Sequence, residues 1–268
     1  METIPFPLHE AHGYRYVDEG PATARPPVVL LHGMLGDVGN WISTIRALSE
    51  NGYRVLVPVL PVYAMPMKET HVPGLVAYVR GFITAMGLAP MVLSGNSLGG
   101  HVALLYTLHH PGDVAALILS GSSGIYEVEM GTVTLRRRDR DFLRERAALT
   151  FYDPAHVTDE LLEDAYRIVN DRGKALRLIR MARSAQQETV TERLPEIEAP
   201  TLLVWGRNDK ITPPDVAEEF ESRMPHAELV FIDRCGHAPM IEHPNDFNAL
   251  TLAFLRKIIG TPALADAS

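Results

Sequence analysis

Met91-Val92-Leu93-Ser94-Gly95-Asn96-Ser97-Leu98-Gly99-Gly100 is the stretch on which the reading of this chain turns. Met91-Val92-Leu93 is a continuous apolar run of the kind that forms a buried strand. From Leu98 to His110 the apolar residues Val102, Leu105 and Leu108 recur at helical spacing, and Pro111-Gly112 supplies the stop. Between strand and helix stands one serine with glycine two residues before it and two after. That is the pattern of a nucleophile elbow, in which the chain turns so sharply that these flanking positions have room for almost no side chain. A glycine-rich connection with an incidental serine would look the same over five residues. The decision therefore passes to the rest of the chain, which must supply a base, an acid and donors for an oxyanion.

Outward from the elbow, further apolar runs predict strands at Val28-Val29-Leu30-Leu31, Arg54-Val55-Leu56-Val57, Ala116-Leu117-Ile118-Leu119, Thr201-Leu202-Leu203-Val204-Trp205 and Glu228-Leu229-Val230-Phe231-Ile232. Tyr14 to Gly20 alternates like an edge strand. Helical stretches lie between them, at Trp41 to Glu50, Val72 to Met86, Leu98 to His110, Asp215 to Met224 and Asn245 to Ile259. Strands apolar on both faces and alternating with helices imply a mostly parallel sheet covered by helices on both sides. The alternation fails between Gly124 and Pro195, where the sequence turns charged and helical and reads as an insertion. Within it Arg136 to Asp141 reads as a solvated helix face, and Thr158-Asp159-Glu160-Leu161 as a capped helix start. Thr261 to Ser268 reads as a frayed tail.

Composition narrows the class. With 268 residues, 46% hydrophobic and 22% charged, the chain has the makeup of an ordinary globular enzyme. A net charge of -8 argues against nucleic acid as a partner, because phosphate neutralisation needs a basic surface. The single cysteine, Cys235, allows no internal disulfide and no cysteine metal cluster. Neither a signal peptide nor a run long enough to span a bilayer is legible, so a cytoplasmic protein is expected.

A serine hydroxyl needs a base that takes its proton during attack and returns it to the leaving group. Among 11 histidines, His237 stands apart, because Cys235-Gly236-His237 follows the last predicted strand and precedes the last helix, at the sheet edge where parallel sheets build their sites. His9, His12, His71, His109, His110, His156 and His226 have no motif around them. His101 reads as a packing residue inside its helix, and His243 as shaping the start of the final helix. The base needs a carboxylate to orient it, and Asp209, in the loop after Trp205, falls between nucleophile and histidine in chain order. It would otherwise read as an Asx turn. Two backbone N–H groups must face the developing oxyanion. Leu98 offers one by following the nucleophile, and Met34 the other, from the turn His32-Gly33-Met34, with His32 and Gly33 supporting that loop.

Taken together, His32-Gly33, Gly95-Asn96-Ser97-Leu98-Gly99-Gly100, Trp205-Gly206-x-x-Asp209 and Gly236-His237 followed by Glu242-His243-Pro244 make the chain resemble the α/β-hydrolase family from about Gly13 to Ile259. The resemblance implies an α/β-hydrolase fold, with an eight-stranded, mostly parallel sheet flanked by helices and a helical cap inserted after the sixth strand. The core would then be 1–123 and 196–268, and the cap 124–195. Ser97 separates the chain from members that carry aspartate there, the haloalkane dehalogenases and epoxide hydrolases. The expected activity is hydrolysis of a small to medium hydrophobic carboxylic ester through Ser97, His237 and Asp209, with no cofactor and no metal, by a monomer or homodimer. Asn96-Ser97 also resembles the carbon–carbon hydrolases of meta-cleavage products, although those usually carry tryptophan directly after the histidine, where this chain has Ala238. Cofactor-free perhydrolases and haloperoxidases, thioesterases and lactonases share the triad, and a non-enzymatic ligand receptor on the same fold is the alternative from another class. Met130, Leu135, Phe142, Leu143, Phe151, Tyr152 and Ile179 are the apolar candidates for lining a pocket, or for packing the insertion on the core.

Overall fold

The apolar runs all become strands of one sheet in the computed structural model, which describes residues 4–127 and 136–260. In chain order they are β1 (His9–Ala11), β2 (Tyr14–Glu19), β3 (Val28–Leu31), β4 (Val55–Pro58), β5 (Met91–Asn96), β6 (Val114–Ser120), β7 (Thr201–Gly206) and β8 (Ala227–Ile232). Their spatial order is β1-β2-β4-β3-β5-β6-β7-β8. β1 and β2 run antiparallel to their neighbours, and every pairing from β4 to β8 is parallel. β1 escapes the sequence reading because three residues carry too little periodicity. It is joined to β2 by His12-Gly13, both at positive φ, a type I′ hairpin turn.

The period of two in each buried strand sorts its side chains between two cores. Val29, Leu31, Leu93, Leu117, Leu119, Leu203 and Trp205 point to one side, and Val28, Leu30, Val92, Ala116, Ile118, Leu202 and Val204 to the other. Helices cover both faces. α2 (Val72–Met86), α3 (Leu98–His109) and α7 (Pro214–Arg223) close the first side, and α1 (Ile42–Glu50) and α9 (Pro244–Ile259) the second. Trp41, at the end of a 3-10 turn ahead of α1, is core, only 1% exposed.

Between β6 and β7, where the alternation of the sequence fails, lie α4 (Arg140–Ala147), α5 (Asp159–Asn170) and α6 (Arg172–Gln187). Thr158 caps α5 as its sequence predicts, its Oγ1 accepting from Leu161 N–H at 3.1 Å. Leu143, Leu162 and Val169 form a small apolar cluster of their own that ties α4 to α5. Phe151 joins the second core, and Met181, Ala185 and Val190 the first. Phe151 thus packs the insertion on the core, the second of the two uses open to it, whereas Leu143 packs within the insertion itself. Met130, Leu135 and the tail 261–268 lie outside the described residues. The Arg136 to Asp141 run faces solvent, pairing Arg136 with Asp139 and Arg140 with Glu163. A four-residue helix, α8 (Pro239–Glu242), stands between β8 and α9.

Candidate active site

A ligand crevice is dictated by the strand order before any side chain is considered. From β3 the chain crosses to β4 on one side and next returns to β5 on the other, so the connections leave β3 and β5 in opposite directions and open a gap at their carboxyl ends. His32-Gly33-Met34 follows β3, and Ser97 follows β5. Asp209 follows β7 and His237 follows β8. All the residues singled out from sequence therefore emerge at one edge of the sheet.

Ser97 has φ 55°, a positive value rare for a residue with a side chain and a mark of local strain. Its surroundings hold it there. Ser97 N–H donates to Ser120 O at 3.1 Å, and Ser97 O accepts from Ser123 N–H and from His101 N–H. The two glycines of the elbow answer to close approach: a methyl on Gly95 would run into the Gly99 carbonyl, and one on Gly99 into the carbonyls of Leu31 and His32. A Cβ on Gly33 would stand 3.3 Å from Ser97 Cβ, which sets the β3 loop directly against the serine. As the first N–H of α3, Leu98 N–H has no carbonyl one turn behind it within the helix.

Asp209 and His237 are joined. His237 Nδ1 lies 2.8 Å from Asp209 Oδ2, and both residues are buried, at 5% and 4% exposure. Thr212 Oγ1 donates to the same carboxylate oxygen at 2.9 Å, while Asp209 Oδ1 accepts from the N–H groups of Ile211 and Thr212 at 2.8 and 3.0 Å. The Asx turn and the histidine partner are thus the same residue, one oxygen serving each role. A carboxylate accepts and does not donate, so the proton of the pair sits on Nδ1 and Nε2 is left as the basic nitrogen. Burial alone pushes the His237 imidazole down. The charge and hydrogen bond of Asp209, with lesser help from Glu127 and Glu242, outweigh it and carry the ring above its ordinary value.

His32 shows the opposite balance. It is 3% exposed, and burial holds it below the usual imidazole range against the hydrogen bond to Gly33. Leu60 N–H donates to its Nε2 at 3.1 Å, so the proton is on Nδ1, which donates to Gly33 O at 2.9 Å. Gly33 O and Met34 N–H belong to one planar trans peptide and point in opposite directions. Fixing the carbonyl on His32 consequently aims Met34 N–H away from the imidazole. Tyr63 Oη donates to Met34 O at 2.5 Å and holds the next peptide.

Several further residues bind this edge together. Asn96 Nδ2 donates to Ser120 O at 2.9 Å and to His237 O at 3.0 Å, tying the elbow to the histidine loop. Thr212, three residues after Asp209, was within reach of an Asx-turn argument. Asn96 and Glu242 stand in quoted motifs, but their bonds to His237 O and to Tyr152 N–H, like those of Tyr63 to Met34 O and of Thr150 to His237 N–H, join segments distant in sequence, which no local pattern reveals. His101 is a packing residue: fully buried, it meets Glu188 O through Nε2 at 2.6 Å, while its Nδ1 has no partner. His243 Nε2 meets Arg234 O at 3.0 Å, ahead of α9. Among the described residues, no group of three or more His, Cys, Asp or Glu could hold a metal ion. No helix among them is long and apolar enough to cross a membrane.

Comparison with known proteins adds four findings. Residues 28–250 match the model of the alpha/beta hydrolase family. A 2-hydroxy-6-oxo-6-phenylhexa-2,4-dienoate hydrolase of Burkholderia cepacia is 32% identical, over 85% of this chain and 87% of its own. A 2-hydroxy-6-oxononadienedioate/2-hydroxy-6-oxononatrienedioate hydrolase of Burkholderia vietnamiensis is 30% identical, over 90% of each chain. Among solved structures, MGS-MChE2, an alpha/beta hydrolase enzyme from the metagenome of sediments from the lagoon of Mar Chica, Morocco, superposes with a TM-score of 0.77 at 35% identity. That match covers 94% of this chain and 98% of the other.

Proposed function

The chain belongs to the alpha/beta hydrolase family, and on that premise we propose that it is a serine hydrolase of the meta-cleavage-product type, which breaks a carbon–carbon bond next to a ketone. The observation that carries hydrolysis is the buried His237–Asp209 pair at the sheet edge where the strained Ser97 leaves β5. The choice of bond rests on relatives of about 30% identity over most of the chain, whose names give 2-hydroxy-6-oxo-dienoates as substrates. The expectation of a carboxylic ester has no such support.

In this reading Ser97 Oγ attacks the C6 ketone while His237 Nε2 takes its proton, and Asp209 steadies the imidazolium that forms. Met34 and Leu98 N–H receive the oxyanion, with His32 fixing the first of them. The C5–C6 bond can break only if the electron pair left on C5 is delocalised. With the 2-hydroxydiene in its 2-oxo, 3-ene tautomer, that pair runs through C3 and C4 to the C2 carbonyl. Collapse of the oxyanion leaves an acyl group on Ser97 and a dienolate, which takes up a proton. Water activated by His237 then frees the acid. Helices α4 to α6 act as a cap over this edge, the division being 1–123 and 196–268 for the core and 124–195 for the cap.

One residue favours the ester instead. Ala238, directly after His237 and 2% exposed, stands where carbon–carbon hydrolases usually carry tryptophan. The two readings part in one assay, with a chromogenic 2-hydroxy-6-oxo-6-phenyl dienoate and a p-nitrophenyl butyrate turned over side by side by wild type and Ser97→Ala. Dienoate turnover that exceeds ester turnover in kcat/KM and vanishes in Ser97→Ala is the expected result. Efficient ester cleavage with an inert dienoate reverses the choice of bond, and unchanged turnover in Ser97→Ala refutes the serine mechanism.

A further inference from the structure

We propose that Glu242 is a positioning residue, holding the His237 loop and the strip 150–153 between α4 and α5 in one frame through backbone N–H groups of both. Its two carboxylate oxygens serve different segments. Oε1 accepts from Gly236 N–H at 2.7 Å, and Oε2 from Tyr152 N–H at 2.7 Å and Asp153 N–H at 3.3 Å. The frame closes through a second bond, in which His237 N–H donates to Thr150 O at 2.7 Å. Two consecutive amides of the loop, those of Gly236 and His237, are thereby pinned to the same strip, one through Glu242 and one directly. Packing leaves little slack, since a methyl on Gly236 would lie 2.6 Å from Thr150 O and 2.9 Å from Phe151.

The chemistry of the site calls for a carboxylate. Every group facing Glu242 is a donor, three backbone N–H groups and the Cys235 thiol at 4.0 Å from Oε1, and only an ionised carboxyl offers acceptors on both of its oxygens. An amide would turn its own NH2 toward one of the two segments. The imidazole of His237 hangs from the pinned backbone, and its Nδ1 is already committed to Asp209, so a shift of the loop moves Nε2. The strip belongs to the connection between β6 and β7. Glu242 therefore couples the base to the helices α4 to α6, and it adds negative charge near the ring, together with Asp209 and Glu127. The Cys235 thiol two residues away is pushed up by burial and stays uncharged.

The inference rests on Ser97 and His237 acting as nucleophile and base, and the test separates the two claims. A fluorophosphonate is used on the full chain, following the rate of covalent labelling against pH. Labelling of wild type that is lost in Ser97→Ala establishes the nucleophile. No labelling of folded wild type overturns that reading, whatever Glu242 does. In Glu242→Gln, labelling is expected to slow by about 10- to 100-fold through misplacement of the base, with its acid limb moved to lower pH because a negative charge near His237 is gone. Glu242→Asp keeps the charge but is one methylene too short to span both segments. Its rate is expected to fall while the limb stays. A folded Glu242→Gln with wild-type rate and limb, or a loss matched by its unfolded fraction with the limb unmoved, overturns the inference. Wild-type amide exchange gives a reading free of any variant: Gly236 and Tyr152 N–H should be protected like strand amides, and exchange at open-loop rates overturns it too.

Discussion

Replacing His32 by alanine tests how the proposed oxyanion site is held. One buried group, Leu60 N–H, formerly 3.1 Å from Nε2, loses its partner outright, while Gly33 O, formerly 2.9 Å from Nδ1, keeps only the bond from Gly36 N–H at 3.2 Å. An orphaned buried donor costs about 1–3 kcal/mol and the lost bond to the still-partnered carbonyl about 0.5–1.5 kcal/mol, so the substitution predicts a loss of about 1.5–4.5 kcal/mol of stability. A domain with about 5–15 kcal/mol in hand remains folded at 25 °C. The catalytic effect has a different origin. Without Nδ1–H the Gly33–Met34 peptide is held at its carbonyl only by the longer bond from Gly36 N–H, and Met34 N–H loses its aim; loss of one oxyanion donor lowers kcat by about 10²- to 10³-fold. KM should move by no more than about threefold, because the donor binds the charge that develops in the transition state and not the ground-state carbonyl. Steady-state kinetics on the preferred substrate, paired with urea unfolding, measures both effects. A variant destabilised as predicted but with kcat within about threefold of wild type would falsify the peptide-orientation argument and leave His32 as a purely structural residue.

Asp209→Asn should keep the Asx turn through its remaining carbonyl oxygen but present an NH2 where Nδ1 needs an acceptor. The expected loss in kcat is about 10³- to 10⁴-fold, measured alongside fluorophosphonate labelling, and near-normal turnover would reassign the acid. His101 is held by burial down to about 4, below the ordinary 6.5. The unfolded chain takes up this proton first, so His101 costs stability as pH falls from about 6.5 to about 4, by up to about 3 kcal/mol in all. Urea titrations of wild type and His101→Gln across that range check this, and parallel pH dependences would contradict it. Gly99→Ala should cost about 1–3 kcal/mol of overpacking against Leu31 and His32, whereas Gly112→Ala, with nothing within 4 Å of the new methyl, should be silent in the same thermal melt.

The parts of the molecule that were legible share one property, that their signal is local. β3 to β8 follow from apolar runs, and α2 falls on Val72–Met86 as its spacing predicts. The elbow is readable because close backbone approach forces glycine at fixed offsets. Asp209 and His237 could be picked out only by their place after the last two strands. The structure adds what that reasoning could not supply, the 2.8 Å bond between them and the split of Asp209 between an Asx turn and a histidine partner. β1 was missed for want of length. Phe142 to Ile179 could not be divided between pocket and packing, because an amphipathic helix shows the same stripe in either use.

The sequence alone determined the fold class and the kinds of side chain offered at the sheet edge, because periodicity and glycine spacing are enforced residue by residue. Only the tertiary structure decided how those side chains are held. The His32 tautomer is set by Leu60, the Met34 peptide by His32, and the His237 loop by Glu242 and Thr150. Each of these holds a backbone N–H or carbonyl, a group every residue carries except that proline lacks the N–H. Such bonds leave no mark on composition or pattern and exist only once segments remote in the chain have been packed against one another.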